Sequence, residues 1–184
     1  MENNTFKLIG IDPGNNLGVS IYTIDGQDFS IKDIEVHTFI LENFTSYITT
    51  DKVISKLEYI RHLITGICKE HTPLVVALES AFMNSRFPKA VINLSQYVGT
   101  LELTIKQANS FTKVFKYPPK YIKSTICKGD ADKNAMLKGV SKIQEITTHI
   151  DPAIHTEHVI DATAIGYVAL KEIREMPFLL MWIM

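Results

Sequence analysis

The chain has 184 residues, 46% of them hydrophobic and 21% charged, a composition that excludes a disordered or fibrous protein and suits one folded domain with a sizeable core. Its net charge of −1 argues against a uniformly basic nucleic-acid binder, but the average hides an asymmetry: residues 1–80 carry −5, residues 81–142 carry +8 and residues 143–184 carry −4. The central basic block is either an electrostatic footprint for phosphates or a solvated lysine-rich face.

In chain order, Lys7 to Asp12 (KLIGID) is a short apolar run that ends at a Pro-Gly turn and predicts a buried strand. Leu17 to Ile24 predicts a second strand, joined to the first by the turn residues Pro13-Gly14-Asn15-Asn16. Ser30 to Ile40 predicts a third. Asp51 to Lys69 places Val53, Ile54, Leu57, Ile60, Ile64 and Ile67 at helical spacing, and Pro73 ends that segment. Leu74 to Leu78 is an apolar strand closed by Glu79. Pro88 opens a helix to about Phe111, and its apolar stripe either packs on the sheet or supplies a dimer contact.

Val114 to Ile122 reads as a strand region interrupted by Pro118 and Pro119, and Ala131–Ile146 and Thr156–Arg174 read as the last helices. The order βββαβαβαα predicts an α/β fold, a mixed sheet with helices packed on it. The polar start, Met1 to Lys7, lacks the apolar core of a signal peptide. The apolar tail Pro177 to Met184 is far short of the ~20 residues of a spanning helix; it is a packed end or a dimer contact. Cys68 and Cys127 lie far apart without CxxC spacing, which argues against a disulfide framework or a zinc site and fits a reducing cytoplasm.

Three places carry chemistry. Asp12 ends the first strand, where α/β sheets present ligand-facing side chains, although a turn-capping aspartate fits the same position. Glu79 ends an apolar strand in the same way, with simple exposure at the strand end as the alternative. His158 and Asp161 are three apart on the last helix and share a face, and Asp161 continues into Ile165 and Val168 on that face. An aspartate among apolar positions needs compensation, by a divalent ion or by a buried ion pair. Two strand ends and one helix face can converge on one acidic cluster, the arrangement that holds two cations for phosphodiester hydrolysis.

Four stretches, GIDPGNNLGVSIY (Gly10–Tyr22), ALESAFM (Ala77–Met83), YIKSTICKGDADKNAM (Tyr121–Met136) and HVIDATAIG (His158–Gly166), together resemble the RuvC-type Holliday-junction resolvases, some of them phage-encoded. The resemblance runs from about Leu8 to Leu170. It implies an RNase H-like mixed five-stranded sheet with helices on both faces, in a single nuclease domain over residues 1–184. It also implies a metal-dependent endonuclease that nicks four-way and other branched DNA symmetrically, as a homodimer, in the cytoplasm of a bacterium or phage-infected cell.

By the same resemblance Asp12, Glu79, His158 and Asp161 bind two Mg²⁺ ions. Histidine replaces the commoner aspartate at 158, so Mn²⁺ substitutes or is preferred. Lys123 and Lys133 match lysines that approach phosphates near the cut, Lys133 with a catalytic role. Phe82 matches an aromatic that stacks at the junction centre, though a core phenylalanine is the alternative, and Arg86 is a further DNA contact.

Three other readings compete: an RNase H-like nuclease acting on structured RNA, an actin-like ATP-binding module, and a DNA-binding protein with a dead site. The actin-like proteins need two such domains and a longer chain.

Overall fold

The computed structural model describes residues 4–43, 51–81, 88–127 and 129–180. The chain opens with a meander of β1 (Thr5–Asp12), β2 (Asn16–Asp25) and β3 (Ile31–Ile40). Then come α1 (Lys52–His71), β4 (Val75–Glu79), α2 (Pro88–Ala108), β5 (Lys113–Tyr117), α3 (Pro119–Ile126), α4 (Lys133–Val140), α5 (Gln144–Thr147) and α6 (Glu157–Glu175). The described strands form a five-stranded mixed sheet of order β3-β2-β1-β4-β5. β1 pairs antiparallel with β2 and parallel with β4, and β4 pairs parallel with β5.

Side chains alternate across a strand, so each strand feeds two cores. Ile9, Ile11, Val19, Ile21, Val76 and Leu78 pack with residues of α1 and α2 on one face. Leu8, Tyr22, Ile24, Val75 and Ala77 pack with residues of α3, α4 and α6 on the other. The sheet is therefore covered on both sides, and the near-continuous apolar runs of β1 and β4 follow from that double burial. Helix α6 is central to the second core: Ala164, Ile165, Ala169, Leu170 and Ile173 are wholly buried. A buried leucine or isoleucine of this kind contributes about 1.5–3 kcal/mol.

The helix ends follow local rules. Asp51 accepts hydrogen bonds from the Val53 and Ile54 amides at the start of α1, and Thr72, left-handed at φ 42°, closes it before Pro73. From Tyr97 onward the apolar stripe of α2 is buried through Val98, Leu101 and Ile105, and Leu101 and Ile105 belong to the core beneath the sheet.

Two predicted elements need correction. Val114–Ile122 is not one extended region. The strand stops at Tyr117, and Pro118 and Pro119 become the cap and first residue of α3, because proline's fixed φ suits a helix start. Ala131–Ile146 is not one helix either. It breaks after Val140, where the Ser141 amide bonds back to Leu137, and restarts as α5 at Gln144. The tail begins as a short 3-10 turn, Pro177–Leu180, that buries Leu180. Among the described residues no helix is long and apolar enough to cross a membrane. Neither Cys68 nor Cys127 forms a disulfide.

Candidate active site

The site is assembled by strand parity. Leu8, Gly10 and Asp12 share one face of β1, and Val75, Ala77 and Glu79 share the same face of β4. In the parallel register Gly10 lies opposite Ala77 and Ile11 opposite Leu78, so the carboxylates that follow emerge side by side at the carboxyl ends of adjacent strands. That face is the one α6 covers.

Helix α6 comes unusually close to the sheet. The Ser20 hydroxyl donates to the Ala162 carbonyl at 2.8 Å and the Tyr22 hydroxyl to the Thr163 carbonyl at 2.6 Å. Gly10 and Gly18 leave the room for this approach. A Cβ at Gly10 would stand 2.6 Å from the Gly166 nitrogen, and one at Gly18 would stand 2.6 Å from the His158 carbonyl carbon. The glycines thus set how deeply the first turns of α6 can sit, and hence where His158 and Asp161 reach the strand ends.

His158 Nδ1 lies 3.1 Å from Asp12 Oδ2, and its Nε2 lies 3.2 Å from Asn16 Nδ2. The ring is therefore held at both nitrogens. The hydrogen bond that the ring donates to Asp12 raises the His158 pKa above its usual 6.5, against the opposing effect of burial. Burial, and then the charges of Asp12 and Asp161, push Glu79 up from 4.5 to about 8. Burial and the Asp12 charge push Asp161 up from 3.8 to about 6, while His158 and Lys123 oppose the rise. These mutual effects place Asp12, Glu79, Asp161 and His158 in one electrostatic neighbourhood, with Lys123 as its nearby cation.

Among the described residues no three His, Cys, Asp or Glu side chains already form a closed ligand set. The donor chemistry still fits divalent cations. Three hard carboxylates stand together, and burial first, then neighbouring carboxylate charge, makes Glu79 and Asp161 resist ionisation, a strain that a bound dication relieves. Lewis-acid ions of this kind polarise a phosphodiester and lower the pKa of water.

Lys133, the first residue of α4, forms an ion pair with Glu157, the first residue of α6. Glu157 Oε1 also lies 3.6 Å from His158 Nε2. A cavity of about 270 Å³ opens between the two helices, its wall including Lys133, Asn134, His155, Glu157 and Asp161.

The structure thus gathers Asp12, Glu79, His158 and Asp161, with Lys123 and Lys133 at the rim. Phe82 and Arg86 lie outside the described residues. Sequence reading missed Asn16 and Glu157. Asn16 reads only as turn chemistry, and an acid in a helix's first turn carries no signal beyond the helix dipole. The basic block proves to be divided. Lys106 bonds the Thr112 carbonyl at 2.6 Å, Lys113 bonds the Leu179 carbonyl and Lys116 pairs with Glu102 at 2.8 Å. Those three lysines serve the fold.

A mixed α/β sheet with an acidic cluster at its strand ends, beside Lys123 and Lys133, has the parts of a nuclease that hydrolyses phosphodiesters. The family model for crossover junction endodeoxyribonuclease RuvC matches residues 8–168, and the chain belongs to that family. It is a nuclease, and nucleases of this kind depend on divalent metal ions.

Solved structures share the fold. RuvC of Thermus thermophilus superposes with a TM-score of 0.64 at 21% identity, over 90% of this chain and 95% of that one. The same organism's RuvC in complex with Holliday junction substrate gives 0.69 at 20% identity, over 92% and 96%. The yeast mitochondrial Holliday junction resolvase Ydc2 gives 0.59 at 14% identity, over 91% and 83%. A search of curated protein sequences finds no match.

Proposed function

We propose that this protein resolves four-way and other branched DNA by paired, symmetric nicks. A homodimer presents two such sites, because a junction with two-fold symmetry needs two cuts related by it. One domain over residues 1–184 carries the activity, in the cytoplasm of a bacterium or of a phage-infected host. The observation that carries the reading is the convergence of Asp12, Glu79 and Asp161, from β1, β4 and α6, into a half-buried cluster in which the Asp12 charge reaches both of the other carboxyls. Such a cluster has little structural value without a cation.

Asp12, Glu79, Asp161 and His158 would hold two Mg²⁺ ions, with Mn²⁺ able to substitute. The ions would polarise the scissile phosphate and ease ionisation of the attacking water. The protein's own groups do the rest. Glu79 must shed its proton on loading. For His158 to ligate, one of its contacts, with Asp12 or with Asn16, must give way, and the contact that remains orients the ring. Lys123 and Lys133 draw in the phosphates flanking the cut and offset the charge that builds on the phosphoryl oxygens. Phe82 stacks on bases at the junction centre, and Arg86 adds a phosphate contact.

The reading is tested by incubating purified protein with an end-labelled four-way DNA junction and, separately, with a structured RNA, each with Mg²⁺, Mn²⁺ or EDTA. The expected result is metal-dependent nicks at symmetric positions in opposite DNA strands and an intact RNA. Cleavage of the RNA in preference to the junction would overturn it.

A further inference from the structure

Lys133 and Glu157 are the first residues of two helices whose N-termini meet at the edge of the acidic cluster. The Lys133 side chain is 76% exposed and that of Glu157 40% exposed, yet the two are in direct ion-pair contact. An ion pair this exposed contributes little to stability, because water screens it and two long side chains must be ordered. It does not work as a strut.

Its position is more informative. The N-terminal ends of α4 and α6 carry positive potential, and together with Lys133 they make a place that favours an anion. Glu157 puts a carboxylate there. Its other oxygen faces the His158 ring, and the cavity it borders also contains Asp161.

We propose that Glu157 is a positioning residue that occupies Lys133 in the free protein, in the place a DNA phosphate takes when substrate binds. The inference rests on the branched-DNA reading. Binding then exchanges one anion for another on Lys133, and that exchange is less favourable than binding to an unpaired lysine. Glu157 thereby weakens DNA affinity and keeps Lys133 aimed at the cluster. A phosphate held by more than one contact outcompetes a screened carboxylate, so the pair opens when substrate arrives.

The test is a double-mutant cycle on binding of a labelled four-way junction in EDTA, where no cleavage occurs. Glu157→Gln should tighten binding about two- to five-fold, the range expected for removing an exposed ion pair. In a Lys133→Ala background the same substitution should change binding by less than half as much. With Mg²⁺ present, KM should fall in step with the tighter binding. A DNA-free measurement runs beside it: reductive methylation followed by mass spectrometry should modify Lys133 faster in Glu157→Gln than in wild type.

An equal gain with and without Lys133 would mean only a general loss of negative charge and would overturn the proposal, as would no gain at all. If wild-type protein binds no junction, the branched-DNA reading fails. The methylation rate still reports on the pair, and an unchanged rate overturns the pairing on its own.

Discussion

His158 Nδ1 and Asp12 Oδ2 stand 3.1 Å apart although 146 residues separate them in the chain. This contact ties the first turn of α6 to the end of β1, and it makes the imidazole the group through which the helix and the strand adjust to each other. His158→Ala is expected to lower nicking about 10- to 100-fold, the usual cost of removing a group that orients or completes a metal site. His158→Asp should keep activity and move the preference from Mn²⁺ toward Mg²⁺. A protonated imidazole cannot ligate, so wild-type activity should fall as pH drops, and His158→Asp should lose that part of the acid sensitivity. Rates against pH for the three proteins in each metal check this. A His158→Ala variant as fast as wild type would remove His158 from the site.

Gly18 tests the depth of α6. A Cβ there would stand 2.6 Å from the His158 carbonyl carbon and 3.2 Å from its Cβ, so Gly18→Ala must push the start of α6 outward. Misplacing a catalytic group by about 1 Å can reduce rate by ~100-fold, whereas the strain of such overpacking costs about 1–3 kcal/mol of stability. The expected outcome is a variant that still folds, as seen by urea denaturation, but nicks very slowly. Full activity would show that the helix position does not govern the chemistry.

Glu79 links the cluster to stability. Its folded pKa of about 8 lies above the ordinary 4.5, so between those values the folded metal-free protein keeps a proton that the unfolded chain has released. The stabilisation is complete below 4.5 and is lost as pH rises toward 8, with a slope of up to about 1.4 kcal/mol per pH unit. Asp161, raised to about 6, adds to the lower part of that window. In EDTA, Glu79→Gln should be more stable than wild type at pH 8, about equal to it near pH 4.5, and inactive with metal. Urea midpoints at both pH values check it. A wild type whose stability rises from pH 4.5 to 8 in step with Glu79→Gln would contradict the crowding.

Phosphate-led binding predicts a salt dependence. Junction affinity should fall steeply as salt rises, since each phosphate contact releases counterions. Lys123→Ala and Lys133→Ala should each lower nicking more than Lys171→Ala, which changes a lysine on α6 remote from the cluster's first turns. Anisotropy titrations across a salt series, with nicking rates, measure both. A flat salt response would count against the basic rim as the DNA contact.

Much of the site was legible because carboxylates after apolar runs are chemically out of place, which singled out Asp12, Glu79 and Asp161. Their adjacency was not legible from spacing alone. It depends on the parallel register that sets Ile11 beside Leu78, a long-range pairing that local patterns do not encode. Pro118 and Pro119 were seen as interruptions of a strand, yet the same fixed φ opens α3. A summed charge could not separate Lys113, which bonds a backbone carbonyl in the fold, from Lys123, whose charge reaches Glu79 and Asp161. The Lys133–Glu157 pair needed the meeting of α4 and α6, which no local pattern signals.

Asp12 links the other three residues of the cluster: it bonds His158, and its charge raises the pKa of both Glu79 and Asp161. Asparagine keeps its shape and removes its charge. The most direct test is therefore Asp12→Asn on a labelled four-way junction, with nicking measured in Mg²⁺ and Mn²⁺ and binding measured by gel shift. The account predicts no nicking in either metal and junction binding close to that of wild type. Nicking at the wild-type rate would contradict the assignment of the acidic cluster as the place where the chemistry occurs.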